Sequence, residues 1–573
     1  MIDARAGARY SIGVDFGTES GRAVLVDVAD GRELGVEIHQ YGNGVIDDHL
    51  PVPDDDVSLG PDWALQDPND YLETLCQAIP RLIKATGIDP DRIIGIGIDF
   101  TSCTMLPTTS DGTPLCFLAE HRREPHAWVK LWKHHAAQPE ADDINRVAAQ
   151  LGEPWLARYG GRISSEWFFP KALQILHESP ATYQAAGRLI EAADWITWQL
   201  TGVETRNSCT AGYKALWSAD VGFPDRRFFG SLDPAFRDVV DEKMSRTIVG
   251  LGEVAGRLTE RAAGWTGLRP GTPVAVGNVD AHVSAPAASV TAPGSLVAIM
   301  GTSTCHIVLA TAAPAIPGMC GVVRDGVVPG LYGFEAGQAS VGDLFGWFVE
   351  HAVPPAYHDA ARARGLSVHA VLEQAAAAIA PGASGLLALD WWNGNRSVLV
   401  DADLSGLLIG LTLATEAPEI YRALIEATAF GTRVIIEAFE AGGVPLDRLV
   451  ACGGLPERNR LLMQIYADVT GREWRVAASP QAPALGAAMF GAVAAGQAAG
   501  GYAGIEEAAS AMAHLRDEIY RPIEANRRVY DVLFREYVRL HDLFGRGVQP
   551  TMKTLKRLRL EAMGLADPVA LGQ

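Results

Sequence analysis

The sequence predicts an α/β protein whose two related domains face one cleft. In the first hundred residues, a helical pattern separates two apolar strand patterns, which is the alternation typical of an α/β domain. Each half of the chain also contains a strand that ends in a carboxylate and a strand that enters a turn of glycines and hydroxyl residues. The likeness between the halves is one of pattern and not a detectable sequence repeat.

Length and composition bound the class of protein. At 573 residues the chain is too long for one hydrophobic core, so we expect several domains. The composition, 48% hydrophobic and 20% charged, is typical of a soluble globular protein. The formal net charge of −20 argues against nucleic acid or an anionic membrane as partners, because both require basic surfaces. It does not argue against a nucleotide, which backbone amides and a metal ion can hold locally.

The cysteines and the apolar runs predict the cellular location of the protein. The seven cysteines are scattered and form no C-x-x-C pair, which favours reduced thiols in the cytosol. The first nine residues lack the apolar core of a signal peptide, and no apolar run approaches the roughly 20 residues that span a bilayer. We therefore expect a cytoplasmic protein.

Residues 10–28 contain the most informative local pattern. Two short apolar runs, at 12–14 and 23–28, read as strands, and Asp15 lies at the exit of the first. The turn between them is rich in small and hydroxyl residues: Gly17, Thr18, Ser20 and Gly21. Such a turn can hold phosphates through backbone N–H groups and hydroxyls, while a carboxylate holds a metal ion through water. Taken alone, the stretch fits an ordinary β-hairpin with a polar turn equally well.

The rest of the first half contains further strand and helix patterns. Residues 34–41 predict a third strand, and residues 67–85 predict a helix with Asn69 as N-cap. The continuous apolar run at 92–100 predicts a central strand ending in Asp99. The loop at 101–104 follows that strand, and α/β sheets bind ligands at the carboxyl ends of central strands.

Two segments before the middle of the chain contain polar side chains in unusual surroundings. Residues 121–135 are rich in Trp and His, but the histidines lack a metal-ligand spacing with carboxylate support, so we favour solvated or sugar-facing side chains over a metal site. Residues 209–217 place Lys214 among apolar and aromatic neighbours. A lone lysine is usually a surface charge on a buried stem, but these neighbours suggest a target within its reach.

The second half repeats the opening theme. A Gly/Pro-rich stretch at 264–273 predicts the boundary between domains 1–269 and 270–547, with a peripheral tail at 548–573. A strand at 273–279 leads to Asp280, and a strand at 295–300 leads to a small-residue turn. A strand at 449–454 enters a second glycine turn, and the small-residue helix at 483–496 could pack closely on another helix or on a bound ring.

Common catalytic motifs are absent from the sequence. There is no G-x-x-x-x-G-K-[ST] pattern, no G-x-G-x-x-G that opens a helix, and no G-x-S-x-G nucleophile turn. The patterns that remain predict a nucleotide-binding fold that holds phosphates with hairpin turns and helix N-termini from two domains.

Several segments, spread from about residue 10 to about residue 543, resemble the FGGY family of carbohydrate kinases. They are I-G-V-D-F-G-T-E-S at 12–20, I-S-S-E-W-F at 163–168, A-G-Y-K-A-L-W at 211–217, D-A-H at 280–282, I-M-G-T-S-T-C at 299–305, E-A-G-Q at 335–338 and A-T-A-F-G at 427–431. The second family signature aligns with residues 406–426 but departs at Leu424, and the first is not kept at Lys171. The resemblance implies two actin-like ATPase (ribonuclease H-like) domains around a central cleft.

The resemblance also implies roles for individual residues. Asp280 would be the general base, and Asp15 would hold Mg²⁺ through water. The implied phosphate contacts are Gly17, Thr18, Ser20, Gly301, Thr302 and Ser303. The implied adenosine contacts are Gly453, Gly454 and Asn459, with residues 484–491 near the base. The implied sugar contacts are Trp132, Lys214, Glu335, Thr101 and Ser102, beside Asp280. Cys103 stands where a smaller residue such as glycine is expected.

The activity implied by the resemblance is ATP- and Mg²⁺-dependent phosphorylation of a sugar. The expected substrate is L-ribulose, phosphorylated to ribulose 5-phosphate in arabinose catabolism, and D-ribulose, xylulose or another polyol are alternatives. A non-catalytic, actin-like sugar sensor is the alternative from another class, and retention of both Asp15 and Asp280 argues against it. The expected partners are the sugar and ATP, with a homodimer as one arrangement.

Overall fold

A computed structural model describes residues 7–52 and 56–563 of the chain. Residues 564–573 of the predicted C-terminal tail lie outside the described residues. The strands of the first half are β1 (Tyr10–Phe16), β2 (Ser20–Asp27), β3 (Glu33–Gln40), β4 (Leu65–Gln66), β5 (Ile93–Phe100), β6 (Met105–Thr108), β7 (Val129–Lys130), β8 (Arg188–Glu191), β9 (Val254–Arg257), β10 (Pro273–Ala275) and β11 (Asn278–Val279). Those of the second half are β12 (Ser295–Met300), β13 (Thr304–Ala310), β14 (Gly321–Arg324), β15 (Tyr332–Gln338), β16 (Leu387–Leu389), β17 (Leu407–Ile409), β18 (Arg448–Cys452), β19 (Trp474–Ala477) and β20 (Leu515–Tyr520).

Helices cover both sheets. In the first half they are α1 (Pro68–Thr86), α2 (Gln138–Leu151), α3 (Phe168–Glu178), α4 (Pro180–Ala185), α5 (Ala192–Thr201), α6 (Ser208–Lys214), α7 (Arg226–Leu232), α8 (Val239–Lys243), α9 (Glu260–Thr266) and α10 (Asp280–Ala287). In the second half they are α11 (Gly342–His351), α12 (Pro355–Arg364), α13 (Val368–Ala377), α14 (Ala417–Ala441), α15 (Gly454–Arg458), α16 (Arg460–Thr470), α17 (Ala482–Ala495), α18 (Ile505–Met512), α19 (Glu524–Gly545) and α20 (Thr551–Ala562).

The two main sheets repeat one topology. The N-terminal sheet has the order β3-β2-β1-β5-β10-β9, with β11 also paired to β5, and the C-terminal sheet has the order β14-β15-β13-β12-β18-β19-β20. Three antiparallel strands followed by two parallel strands are common to both sheets, so that β1 corresponds to β12 and β5 to β18. The C-terminal sheet has an additional antiparallel edge strand, β14. The pattern-level likeness of the two halves is therefore confirmed in the fold, and the small-residue turns after β1 and β12 occupy equivalent positions.

Most predicted elements are present with small shifts at their ends. The third strand, the central strand and the small-residue helix correspond to β3, β5 and α17. The predicted N-cap of α1 was wrong, because the side chain of Asp67 caps this helix by accepting from the Asn69 N–H at 2.9 Å. The predicted strand at 273–279 is broken into β10 and β11.

The predicted division after residue 269 falls inside the N-terminal sheet. β9 and β10 pair with each other on either side of it, and β11 pairs with β5. The Gly/Pro-rich stretch at 264–273 is the turn from α9 into β10, not a linker. We therefore place the division between α10 and β12. Asp280, which was expected in the second domain, accordingly lies at the edge of the first domain's sheet.

Helix α17 joins the second half of the chain to the sheet of the first. It packs on β1 and β5, where the strands carry glycines. A Cβ atom added to Gly13 or Gly97 would lie 1.8 Å from a backbone oxygen of α17, and the Ser11 hydroxyl donates to the Ala488 carbonyl at 2.7 Å. This close approach buries residues 484–491 almost completely, so their small side chains serve the packing of helix on sheet, and their place near the base stays a prediction.

We expect Gly97→Ala to destabilise the protein strongly. The new Cβ would overlap the Ala487 carbonyl oxygen, which is backbone and cannot rotate away, so helix and sheet must separate at a cost of about 3 kcal/mol. Thermal unfolding measures the effect. Gly346→Ala in α11 is the matched control, because its Cβ would meet no described atom within 4 Å and alanine favours a helix. Equal melting temperatures for the two variants would contradict this account of the packing.

Candidate active site

Three carboxylates meet at the carboxyl edge of the N-terminal sheet. In the parallel pairing of β1 with β5, Asp15 lies directly opposite Asp99, and on the other side of β5 Asn278 lies opposite Asp99 as well. Asp280 follows β11 and begins α10, where its own Oδ1 accepts from the Ala281 N–H at 2.7 Å. Parallel strands in register therefore place side chains distant in sequence at one edge.

The three carboxylates perturb one another because they lie close together, with Asp15 and Asp99 buried and Asp280 half-buried. Burial raises the pKa of Asp280 to about 7, and the charge of Asp15 adds to that shift. The pKa of Asp99 is raised well above its ordinary range by burial and by the charges of Asp15 and Asp280. Burial also raises the pKa of Asp15, although Arg22, with its Nε 3.2 Å from Asp15 Oδ2, opposes the shift.

The carboxylate edge fits a magnesium ion. Both oxygens of Asp99 are buried without a hydrogen-bond partner among the described residues, and the negative charges around them have Arg22 as their near counter-charge. Within the described part of the chain no group of three or more His, Cys, Asp or Glu side chains is placed to hold a metal ion by itself. Magnesium commonly uses one or two carboxylates, waters and substrate phosphates instead of such a cage, so Asp15 and Asp99 suit it.

The first glycine turn lies beside the carboxylates and contacts the predicted sugar residue. The Gly17 N–H donates to the Ser20 carbonyl at 3.0 Å and closes the turn between β1 and β2. The Trp132 indole N–H donates to the Thr18 hydroxyl at 3.0 Å, and the Gln66 side chain donates to the Thr18 carbonyl at 2.6 Å. The predicted phosphate turn and the predicted sugar contact Trp132 are thus held together.

The second glycine turn occupies the equivalent position in the other sheet and is one residue tighter. The Gly301 N–H donates to the carbonyl of Ser303, two residues on, at 2.9 Å, whereas the Gly17 N–H donates to the carbonyl three residues on. The turn is held from behind by the start of α11, where the Asp343 N–H donates to the Thr302 carbonyl at 3.2 Å. Lys133, the residue after Trp132, interacts electrostatically with the Asp343 carboxyl. The second turn therefore faces the segment of the first domain that carries Trp132.

The predicted adenosine loop adjoins the second turn. β12 and β18 are parallel neighbours, and Ile299 lies opposite Cys452, so Gly453 follows its strand at the same edge as Gly301. Gly453 has φ +96°, and a Cβ there would lie 2.5 Å from the Met300 carbonyl oxygen, so this position requires glycine. Gly454 is exposed at the start of α15. Asn459 is buried, and its side-chain oxygen caps α16 by accepting from the Leu462 N–H at 2.8 Å.

A buried ion pair forms the other end of the site and joins the two domains. Lys214 Nζ on α6 lies 2.9 and 3.0 Å from the two carboxylate oxygens of Glu335 on β15. Burial alone would lower the pKa of Lys214 and raise that of Glu335, but their attraction outweighs it, so the lysine pKa is raised and the glutamate pKa is lowered. Both groups are therefore charged at neutral pH.

Residues that sequence reasoning did not assign surround this ion pair. His282 is buried, its Nε2 lies 3.4 Å from Glu335 Oε2, and its ring packs on Tyr213 at 4.0 Å between centroids. The Lys214 ammonium lies 5.4 Å from the centre of the Trp167 ring. Burial would lower the pKa of Arg396, but the charges of Glu166 and of other acidic groups, Glu335 among them, raise it. The D-A-H motif contained the signal for His282, but no local pattern marks Arg396.

The loop after β5 has the conformation expected for a smaller residue. Cys103 has φ +59°, in the left-handed region that favours glycine, which agrees with the departure noted in the sequence. The Thr101 hydroxyl is bonded to that of Thr104 at 2.8 Å, so it already has a protein partner. The Ser102 hydroxyl is half-buried, with the Cys103 thiol at 3.2 Å.

Two of the four histidines of residues 121–135 differ from expectation, whereas His135 is exposed as expected. His126 and His134 are buried, with ring centres 4.8 and 5.0 Å from Trp63, and are neither solvated nor sugar-facing. His134 is hydrogen-bonded to Gln174 at 2.9 Å, and burial lowers the pKa of His126 to about 2. These two rings are part of the core.

In the described ranges, 7–52 and 56–563, no helix is both long and apolar enough to cross a membrane.

Comparisons with known proteins agree with this geometry. The FGGY family of carbohydrate kinases, N-terminal domain, matches residues 10–286, and the C-terminal domain of that family matches residues 296–495. Fold and site together define a carbohydrate kinase. The chain belongs to the FGGY family of carbohydrate kinases.

Curated relatives are similar over nearly their full length. A protein named ribulokinase from Halalkalibacterium halodurans is 55% identical over 551 residues, covering 96% of this chain and 98% of that protein. A ribulokinase from Mycolicibacterium smegmatis is 52% identical over 554 residues and 97% of each chain. The crystal structure of xylulose kinase from Rhodospirillum rubrum matches with a TM-score of 0.73 over 93% of this chain and 98% of its own, and its 24% identity supports the fold alone.

We expect Lys214→Met to reduce the free energy of unfolding by about 3–5 kcal/mol, because it leaves the Glu335 charge buried without its main partner. The double variant Lys214→Met/Glu335→Leu should recover much of that loss, since it removes both charges. Chemical denaturation of the two single variants and the double variant measures the coupling.

Arg539→Met is the matched control for this cycle. Its partner Glu536 is also 2.9 Å away, but side-chain exposures of 75% and 50% predict an effect below about 1 kcal/mol. Additive effects of the Lys214 and Glu335 substitutions would show that the two side chains are not coupled in solution.

Proposed function

We propose that this chain is a kinase that transfers the γ-phosphoryl group of ATP to ribulose, with L-ribulose as the preferred substrate. The single observation that carries the proposal is the position of Asp280. It interacts electrostatically with Asp15 beside the first phosphate turn and with Lys214 and Glu335 at the other end of the site. The names of the curated relatives, at 52–55% identity over almost the whole chain, support ribulose as the sugar.

In this proposal Asp280 accepts the proton of the terminal sugar hydroxyl as its oxygen attacks the γ-phosphorus. A carboxylate with a pKa near 7 is well matched to that task, because it is ionised at physiological pH yet basic enough to take a proton. The transferred group develops little covalent bonding in the transition state, so most of the rate enhancement comes from positioning and charge neutralisation.

The remaining residues position the two substrates. Lys214 and Glu335 are charged, so they can bind sugar hydroxyls through charge-assisted hydrogen bonds, and Trp132 presents an aromatic ring to the carbon face. The turns at 17–20 and 301–303 would hold the phosphates from the two sheets, and the Gly453–Gly454 turn would approach the adenosine. When bound at Asp15 and Asp99, Mg²⁺ would neutralise phosphate charge.

Domain closure on sugar binding is part of this proposal. Lys214 of the first domain and Glu335 of the second already contact each other at 2.9 Å, so the sugar end is where the domains are held together and closure would bring the two phosphate turns toward each other. Closure excludes water, which would otherwise compete with the sugar as acceptor of the phosphoryl group.

A substrate panel tests the proposed function. With ATP and Mg²⁺, we expect kcat/KM to be highest for L-ribulose and at least about ten-fold lower for D-ribulose, L-xylulose and glycerol, which is a difference of about 1.4 kcal/mol in transition-state binding. A preference for glycerol would reject ribulose as the substrate. Absence of turnover with every sugar, combined with tight sugar binding, would favour the sensor.

We expect Asp280→Asn to lower kcat by about 10²–10⁴-fold while the Kd for the sugar changes little, because the amide retains the shape but cannot accept the proton. In the unsubstituted enzyme kcat/KM should fall as the pH drops below about 7, since the raised pKa of Asp280 leaves the base protonated there. Rapid-quench kinetics and sugar titrations measure both effects. A variant that turns over at nearly the original rate would exclude Asp280 as the base.

A further inference from the structure

Lys171 is a buried cation outside the residues assigned to the reaction. It lies within α3, and its side chain is fully buried. Its Nζ donates to the backbone carbonyls of Cys103 and Leu131, each at 2.7 Å. Burying an ammonium group is costly unless hydrogen bonds compensate it, so these two bonds determine where the side chain can lie.

The two carbonyls belong to the two loops that face the sugar end of the site. Cys103 lies in the 101–104 loop after β5, next to Ser102. Leu131 directly precedes Trp132, whose indole donates to Thr18 of the first phosphate turn. Met105 pairs with Lys130 where the small sheet begins, and beyond that pair the Lys171 ammonium bridges the two loops.

Helix α3 holds the second loop at a further point. Gln174, one helical turn after Lys171, is hydrogen-bonded through its Oε1 to His134 Nε2 at 2.9 Å. The backbone N–H of His134 donates to the Leu131 carbonyl at 3.0 Å, so that carbonyl accepts hydrogen bonds from the loop itself and from Lys171. Residues 131–134 are therefore fixed on α3 on both sides of the Trp132 position.

We propose that Lys171 is a positioning residue for the sugar site. Its ammonium ties the 101–104 loop to the segment carrying Trp132 and thereby sets the spacing between the two surfaces that receive the sugar. Lys171 does not touch the substrate in this proposal, which rests on the proposed function for the statement that these loops receive a sugar. The departure of Cys103 from glycine makes the tie more important, because a non-glycine residue at φ +59° is strained and needs its surroundings to hold it.

Lys130 provides the contrast that isolates this role. It is also fully buried on the same segment, but its Nζ lies 4.2 Å from the centre of the Trp63 ring and has no hydrogen-bond partner among the described residues. Replacing either lysine by methionine removes a buried amine of the same length, although burial lowers the pKa of Lys130 to about 7 and leaves it only partly charged at that pH. Only at Lys171 does the replacement also release two loop carbonyls.

The experiment compares Lys171→Met, Lys171→Arg and Lys130→Met at pH 7. Burial lowers the pKa of Lys171 to about 8, so its ammonium is protonated under these conditions. We expect Lys171→Met to raise the KM for L-ribulose by about ten-fold or more, with the KM for ATP and kcat within about three-fold, because loop position affects sugar binding first. Lys171→Arg should restore part of the loss, since a guanidinium can donate to two carbonyls. Lys130→Met should leave the KM for L-ribulose unchanged.

Hydrogen–deuterium exchange of the sugar-free protein gives a readout that is independent of activity. Exchange at residues 101–104 and 131–135 should increase in Lys171→Met and not in Lys130→Met. Equal exchange and equal KM in the two methionine variants would overturn the proposal and reduce Lys171 to a core residue. If Lys171→Met does not fold, the exchange and KM measurements are made on Lys171→Arg and Lys171→Gln instead. A Lys171→Gln variant with unchanged protection of both loops and an unchanged KM for L-ribulose would contradict the role of the cation. If the wild-type protein is inactive on L-ribulose but the variants show the expected exchange pattern, the proposed substrate is rejected and the role of Lys171 in holding the two loops together stands.

Discussion

The placement of three carboxylates at one edge of the N-terminal sheet is the constraint on which the site depends. Asp15, Asp99 and Asp280 lie close together because β1, β5 and β11 are parallel and in register. The charges of Asp15 and Asp280 disfavour ionisation of the buried Asp99, and Arg22 offsets this only in part. A protein arranged for stability alone would not place them there. In the proposed function a bound cation with its phosphates would relieve this repulsion, so that ligand binding and the relief of repulsion would be coupled.

Glu335 has the opposite electrostatic character. It is buried, yet Lys214 and His282 from the first domain hold it ionised. The C-terminal sheet thus contributes to the sugar end a charge whose hydrogen-bonded partner, Lys214, comes from the N-terminal half. One end of the cleft holds carboxylates that repel one another, and phosphates and metal are expected there. The other end holds the neutralised Lys214–Glu335 ion pair, and sugar hydroxyls are expected there. Asp280 lies between these ends and responds to both, which suits a group that must hold a proton only transiently.

Much of the fold followed from the sequence because short β-branched runs and helical spacing are local signals. The turns after β1 and β12 and the strand that leads to Asp280 could be located in this way, and the family resemblance supplied their roles. What could not be predicted depends on pairing between distant strands. Asp99 was recognised as the end of a strand, but only the register of β5 with β1 places it opposite Asp15. The carbonyl partners of Lys171 and the burial of His134 likewise depend on which loops α3 covers, and no local pattern reports that.

The packing of α17 on β1 has a consequence for biosynthesis. The hydrogen bond from Ser11 to Ala488 joins residues 477 positions apart, so β1 leaves the ribosome long before the helix that covers it. At about 5–20 residues per second, roughly 25–100 s separate the synthesis of the two elements. Throughout that interval the glycine-bearing face of the first sheet lacks its covering helix. The nascent first half therefore lacks part of its packing. The time for which this face of the sheet stays uncovered is set by the speed of translation and not by the rate at which the first half folds.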